Sequence, residues 1–293
     1  MRILRFFIAP ILILCLLAGC SAQKEQIIVG TKYYTEQEIL GNMLVLLIKE
    51  HTNLEPVVRS NMSSHVIFAA VTTGAVDVYV EYTGTIFGSY LNRSDNLGAD
   101  EIYEVSSREL FERHELILLD RLGFNNTFCL AVRPETAEEF DLKTFSDLAL
   151  VSSNFVFGGS AEILYRADGL PNLKILYNMN FLEELEFADE ARYEAIATDT
   201  VQVTEAFSTD GSLMAHNLIV LEDDKDFFPP YEGVVVIRGE IAEKHPGLLD
   251  VLNKLSGIIS DETMRYLNYR VDILEENPID VATSFLKDNG LIR

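Results

Sequence analysis

Basic residues are scarce in this chain of 293 residues: 23 Lys and Arg stand against 46 Asp and Glu, a formal net charge of −23. A surface so acidic repels polyanions and excludes nucleic acid as a partner. It also gains little from anionic lipid. Histidine is equally thin, and His51, His65, His114, His216 and His245 are scattered without the spacing of metal ligands. No Gly-x-Ser-x-Gly elbow, phosphate-binding loop or dinucleotide fingerprint occurs. An enzyme is therefore not expected, nor a cofactor, a metal site or an ATP site on this chain. Asp210 and Asp223-Asp224, in so acidic a chain, read as solvated faces. Of the three cysteines, Cys129 lies alone in the apolar run Phe128-Cys-Leu-Ala-Val132, far from any partner, and reads as a small buried hydrophobe. No Gly/Ser linker or low-complexity block divides the chain.

Long apolar runs are missing too. The longest, Phe6–Leu17, is too short for the roughly 20 residues of a spanning helix. With Arg2 and Arg5 before it and small residues after it, residues 1–19 read as a secretory signal. Leu17-Ala-Gly-Cys20 resembles a lipobox, which makes Cys20 the lipid-bearing first residue and residues 20–26 a polar tether; an incidental cysteine is the plainer alternative. The predicted place is the outer face of the bacterial cytoplasmic membrane, reached through the lipid on Cys20.

Beyond residue 26, the pattern is α/β. Ile27–Val29 reads as a buried strand. Thr35-x-x-Glu38 has capping-box spacing, and Ile39, Leu40, Met43, Leu44, Leu47 and Ile48 recur at helical period to about His51. Val66–Thr73 reads as a second helix stopped by Gly74, and Val76–Val80 alternates as a strand does. Strands alternating with helices predict mainly parallel sheets flanked by helices. A weak internal repeat points to two lobes. Ala70-Val71, Val76–Val78 and Glu81-Tyr-Thr83 recur 125 residues later as Ala195-Ile196, Val201–Val203 and Ala206-Phe-Ser208. Val29-Gly-Thr31 echoes Phe157-Gly-Gly159. Generic α/β grammar could produce such echoes. If the symmetry is real, Tyr82 and Phe207 face one cleft from opposite sides, since ligands of open α/β sheets bind beyond the carboxyl ends of strands. Two further strands, from Phe128 and from Tyr231, would carry the chain between lobes. The expected division is 27–124 plus 235–293 for one lobe and 125–234 for the other, with the hinge strands.

Tyr82, Phe128, Phe207 and Tyr231 would then converge. Aromatic faces attract cations, and quaternary ammonium, lacking N–H donors, is the ligand best held by a box of such faces. Each ring taken alone can equally be core packing.

Several stretches, in order, resemble the glycine betaine/carnitine/choline-binding proteins of osmoprotectant ABC importers: Lys32-Tyr-Tyr-Thr-Glu-Gln37, Glu81-Tyr-Thr-Gly-Thr85, Gly123-Phe-Asn-Asn-Thr127, Ala206-Phe-Ser-Thr-Asp-Gly211, Leu221-Glu-Asp-Asp-Lys225 and Phe227-Phe-Pro-Pro-Tyr231. The resemblance runs from Ile27 to Ile292. It implies a two-lobed periplasmic-binding-protein type II fold with hinge-bending closure, and a cage at Tyr82, Phe128, Phe207 and Tyr231. It also implies delivery to a membrane permease coupled to a cytoplasmic ATPase. Arg166, in Tyr165-Arg-Ala-Asp-Gly169, matches an arginine that forks onto a ligand carboxylate in some members; a surface or lobe-bridging charge is its other reading. Thr35, Gln37, Thr85 and Asn126 are candidate polar contacts. Phe128 and Phe207 replace the usual tyrosines, keeping the π-face and losing the hydroxyl. Ala167 and Leu170 depart from the expected proline and tyrosine around Arg166. A solute-binding lipoprotein for another small cation or an amino acid is the alternative.

Overall fold

The computed structural model describes residues 24–166, 169–188 and 190–293. The signal and Cys20 lie outside these residues, as do Ala167 and Asp168. Strand β1 (Gln26–Lys32) lies parallel to β2 (Glu55–Met62) and to β3 (Val78–Tyr82). Between them run α1 (Thr35–His51) and α2 (Ser64–Thr72). The apolar face of α1 is fully sequestered, from Ile39 to Ile48, against β1 and β3. Its start differs from the expected capping box: Tyr34 is the N-cap, with no side-chain cap bond, and the Thr35 hydroxyl instead donates to Asp272 Oδ1 at 2.5 Å. After α3 (Ala99–His114), β4 (Leu116–Asn125) takes the far edge of this first sheet.

The second sheet repeats the plan. Its strands are β5 (Phe128–Val132), β6 (Val156–Gly159), β7 (Glu183–Glu186), β8 (Val203–Phe207) and β9 (Ile219–Leu221), and the chain then returns as β10 (Glu232–Arg238). The orders are β2-β1-β3-β10-β4 and β7-β6-β8-β5-β9. In each, the first three strands are parallel and the fourth runs antiparallel to both neighbours. Both sheets are therefore mixed but mainly parallel, as expected: four of the five strands point the same way and one is antiparallel. The antiparallel member is the strand that has just crossed between sheets.

The repeat read in the sequence holds residue by residue. Val29 pairs with Val78 and Gly30 with Tyr79; Phe157 pairs with Val203 and Gly158 with Thr204. Tyr82 and Phe207 are the last residues of β3 and β8. The strand expected at Val76–Val80 lies two residues later, because Val76 and Asp77 complete the turn after α2, where Gly74 takes φ +78°. One boundary also shifts. Gly233 pairs with Tyr82 and Val234 with Glu81, so the first sheet gains these residues, which the sequence reading had given to the second lobe.

The crossings are Asn126-Thr127 and the segment 222–231. A third connection was not foreseen. Helix α8 (Asp261–Asp272), which packs with α9 (Pro278–Asp288) on α1, also seats on the second lobe. Arg265 Nε and Nη2 donate to the Ser208 carbonyl at 3.0 and 2.7 Å. Gly211, which opens α7 (Gly211–Ala215), lies so close to Tyr269 that a Cβ there would stand 2.7 Å from its backbone. The inner strands are buried on both faces, which is why they read as apolar runs, whereas the edge strands β2 and β7 are polar and largely exposed.

Candidate ligand cleft

A cavity of about 620 Å³ opens between the two sheets, beyond the carboxyl ends of β1, β3 and β8. Its size falls in the range typical of small-molecule sites, roughly 300–1,000 Å³. Tyr33, Tyr34, Tyr82 and Tyr231 line it from the first lobe and the crossing, and Phe207 from the second.

Each ring is held by a specific contact. Tyr82 ends β3 and is only 4% exposed; its ring meets the edge of Phe124 at 6.4 Å between centroids. Phe207, 36% exposed, stacks on Phe128 at 4.6 Å because the two residues are directly paired across β5 and β8. Tyr231 packs on Gly84, where a Cβ would come within 2.8 Å of its ring. Gly84 is thus required by close approach.

Below the rings lies a buried polar floor centred on Glu36, in the first turn of α1. Its Oε1 accepts from the Tyr82 hydroxyl at 2.6 Å and from Asn126 Nδ2 at 3.0 Å. Its Oε2 accepts from Asn268 Nδ2 at 3.0 Å, and Thr209 adds a side-chain hydrogen bond. The Tyr82 hydroxyl in turn accepts from Tyr34 at 3.0 Å and from Gln37 Nε2 at 3.1 Å. Burial raises the Glu36 carboxyl above the usual glutamate range, against these hydrogen bonds. Asp210 and Asp272, also on the cleft wall, are raised chiefly by burial as well. Lys32 is the cationic side chain of the lining. It forms a buried ion pair with Glu81, and its Nζ stands 4.8 Å from the Tyr82 ring centroid.

Of the residues singled out in the sequence, Tyr82, Phe207, Tyr231, Thr35, Thr85 and Asn126 line the cleft. Phe128 does not; it stands behind Phe207 and fixes that ring. Gln37, 1% exposed, stands behind Tyr82 and holds its hydroxyl. Arg166 is also outside the lining, at the end of α5 (Ala161–Tyr165), exposed and ion-paired with Glu162 one helical turn earlier. Lys32, Tyr33, Tyr34, Glu36, Ser64, Thr209, Asp210, Asn268 and Asp272 were missed. Most lie within stretches already noted, at the turns that follow β1 and β8. Asn268 and Asp272, one turn apart on α8, carry no motif that would have marked them.

Comparison with known proteins agrees with this architecture. The family described as the substrate binding domain of ABC-type glycine betaine transport systems, OpuAC, matches residues 25–288. The chain belongs to it. The ergothioneine transport permease/ergothioneine binding protein EgtU of Helicobacter pylori is 36% identical over 92% of this chain, which spans only 48% of that relative. The carnitine transport binding protein OpuCC of Listeria monocytogenes is 32% identical over 94% of this chain and 91% of its own. A crystal structure of a glycine betaine/carnitine/choline ABC transporter protein superposes with a TM-score of 0.87 at 31% identity, covering 90% of this chain and 99% of its own. The two-lobed fold is that of a type II periplasmic binding protein. The family and these relatives are transport proteins, not enzymes, and no helix among the described residues is long and apolar enough to cross a membrane.

Proposed function

We propose that this chain captures a small trimethylammonium solute in the cleft and hands it to the permease of an ABC importer. The observation that carries the reading is the wall of rings around the cavity, Tyr82 and Tyr231 on one side and Phe207 on the other. The face of an aromatic ring draws in a cation that has no N–H to offer a carboxylate. Closure of the lobes would desolvate that contact and strengthen it. The three carboxylates of the lining add attraction for a cationic head.

A ligand carboxylate, where there is one, is assigned to Lys32. One of the three ammonium donors of Lys32 goes to Glu81, and the residue lies on the cleft wall, whereas Arg166 is engaged by Glu162 outside it. On this reading the chain is a binder and not an enzyme. It is held at the outer face of the cytoplasmic membrane by lipid on Cys20, and it docks on a permease driven by a cytoplasmic ATPase.

Calorimetric titration of the chain from Ser21 onward tests the proposal. The ligands are glycine betaine, carnitine, choline and ergothioneine, with glycine and putrescine as controls. Saturable binding of at least one trimethylammonium compound, and of neither control, is expected. Binding of glycine or putrescine alone would move the chain to the amino-acid or small-cation class.

A further inference from the structure

We propose that Arg265, on α8, is a positioning residue for the cleft. It sets where the ring of Phe207 stands relative to Tyr82 and Tyr231, and so the width of head group that the cleft accepts. The size selectivity rests on the trimethylammonium reading; the placement of the ring does not. Phe207 ends β8, and its ring is seated against Phe128. The turn that follows is closed on itself: Phe207 N donates to Asp210 Oδ2 at 3.0 Å and Asp210 N to the Phe207 carbonyl at 2.9 Å. Both carbonyls inside that turn are taken by α8. Arg265 Nε and Nη2 donate to Ser208 at 3.0 and 2.7 Å, and Asn268 Nδ2 donates to Thr209 at 2.9 Å.

The helix that holds the turn belongs to the other lobe. Met264 and Leu267 are buried in the core of the first sheet with α1. Asp261, Arg265, Asn268 and Asp272 recur at steps of three or four residues, so they share one face of α8. Asp261 Oδ1 accepts from the Asn125 amide at 2.7 Å, at the crossing, and Asp272 accepts from Thr35 on α1. One face of one helix therefore spans the first lobe, the crossing and the turn that carries Phe207. A guanidinium fork is charge-assisted and directional, so it fixes an orientation as well as a distance. Attraction between a cation and a ring needs a separation within about 6 Å. A turn released from Arg265 lets the Phe207 wall move away from Tyr82 and widens the cleft.

Two readouts on the chain from Ser21 onward test this. The first needs no ligand. The chain has no tryptophan, so Phe207→Trp places a single indole at the cage. Adding Arg265→Met, which keeps the stem and removes the donors, should shift its emission to the red and raise acrylamide quenching about twofold. The second is calorimetry of glycine betaine against its N,N,N-triethyl analogue, and of choline against its own, in otherwise wild-type protein. The trimethyl member should bind about tenfold or more tightly, and Arg265→Met should cut that ratio to about threefold or less. A loss of stability alone weakens both members together and leaves the ratio unchanged. Arg265→Lys, a single-point donor, should fall between the two in both readouts, and it replaces Arg265→Met if that variant does not fold. Indole emission and quenching that ignore Arg265, with an unaltered ratio, overturn the inference and leave the trimethylammonium reading standing. If no trimethylammonium compound binds the wild type, that reading falls, and the indole decides the placement by itself.

Discussion

Replacing Tyr82 by phenylalanine separates the two tasks of that side chain. The ring and its place beside Lys32 remain, while the hydroxyl disappears. That hydroxyl donates to Glu36 at 2.6 Å and accepts from Tyr34 and Gln37 at 3.0 and 3.1 Å. A hydrogen bond to a charged group contributes about 1.5–3 kcal/mol and a neutral one about 1. Gln37, 1% exposed, has no water to turn to. Tyr82→Phe should therefore lower stability by about 3 kcal/mol, read as a drop in the urea midpoint with an unchanged slope. Affinity for the preferred trimethylammonium ligand, measured by calorimetry where the variant is folded, should change by less than about threefold, because the π-face is intact. Tyr82→Ala should weaken it by about tenfold or more. If phenylalanine weakened binding as much as alanine did, with the urea midpoint unmoved, the hydroxyl would be touching the ligand and the account of Glu36 as its partner would be wrong.

Other perturbations follow from the same geometry. Burial raises the Glu36 carboxyl, so the folded chain holds that proton to higher pH than the unfolded chain does. The resulting stability is full below the ordinary glutamate value, about 4.3, and is lost as pH rises through the raised one. Wild type should thus gain on Glu36→Gln as pH falls towards about 4.3, and a difference that is flat or opposite in paired urea titrations would contradict the raised carboxyl. Glu81→Ala strands Lys32 in a site where both side chains are almost fully buried and should cost about 3–5 kcal/mol, whereas Lys32→Met with Glu81→Leu should recover most of it. Gly211→Ala drives a methyl group into the Tyr269 backbone and should cost about 1–3 kcal/mol in thermal or urea unfolding; a neutral outcome would show that α8 is not seated on the second lobe.

Periodicity made the scaffold legible. The span predicted for α1, Thr35 to about His51, is the one observed, since six apolar residues at helical spacing leave little choice of face. The duplication was readable because paired strands of the two sheets keep a register of 125 to 128 residues. What failed was local chemistry under tertiary control. Thr35-x-x-Glu38 has the spacing of a capping box, yet Asp272, far along the chain, captures the threonine hydroxyl. The floor of the cleft was invisible for a related reason. Glu36 reads as an ordinary acid in a first turn. Only the convergence of Asn126 from a crossing and Asn268 from α8 makes it the centre of a buried network. Aromatic residues at strand ends could be found from pattern; the partners that orient them could not.

The exchange of strands between the sheets dictates an order of assembly. In the second sheet every strand lies within one unbroken stretch, from Phe128 to Leu221. The first sheet is different: β4 has β10 as its sheet partner, and β10 is made more than a hundred residues after β4 ends. During synthesis the second lobe can complete its hydrogen bonding while the first still has an open gap beside β3, at the strand that ends in Tyr82. Half of the cleft therefore waits, with an unpaired apolar edge, for the last quarter of the chain. Any truncation before Glu232 should leave that edge open, making such fragments prone to strand-mediated association rather than merely inactive.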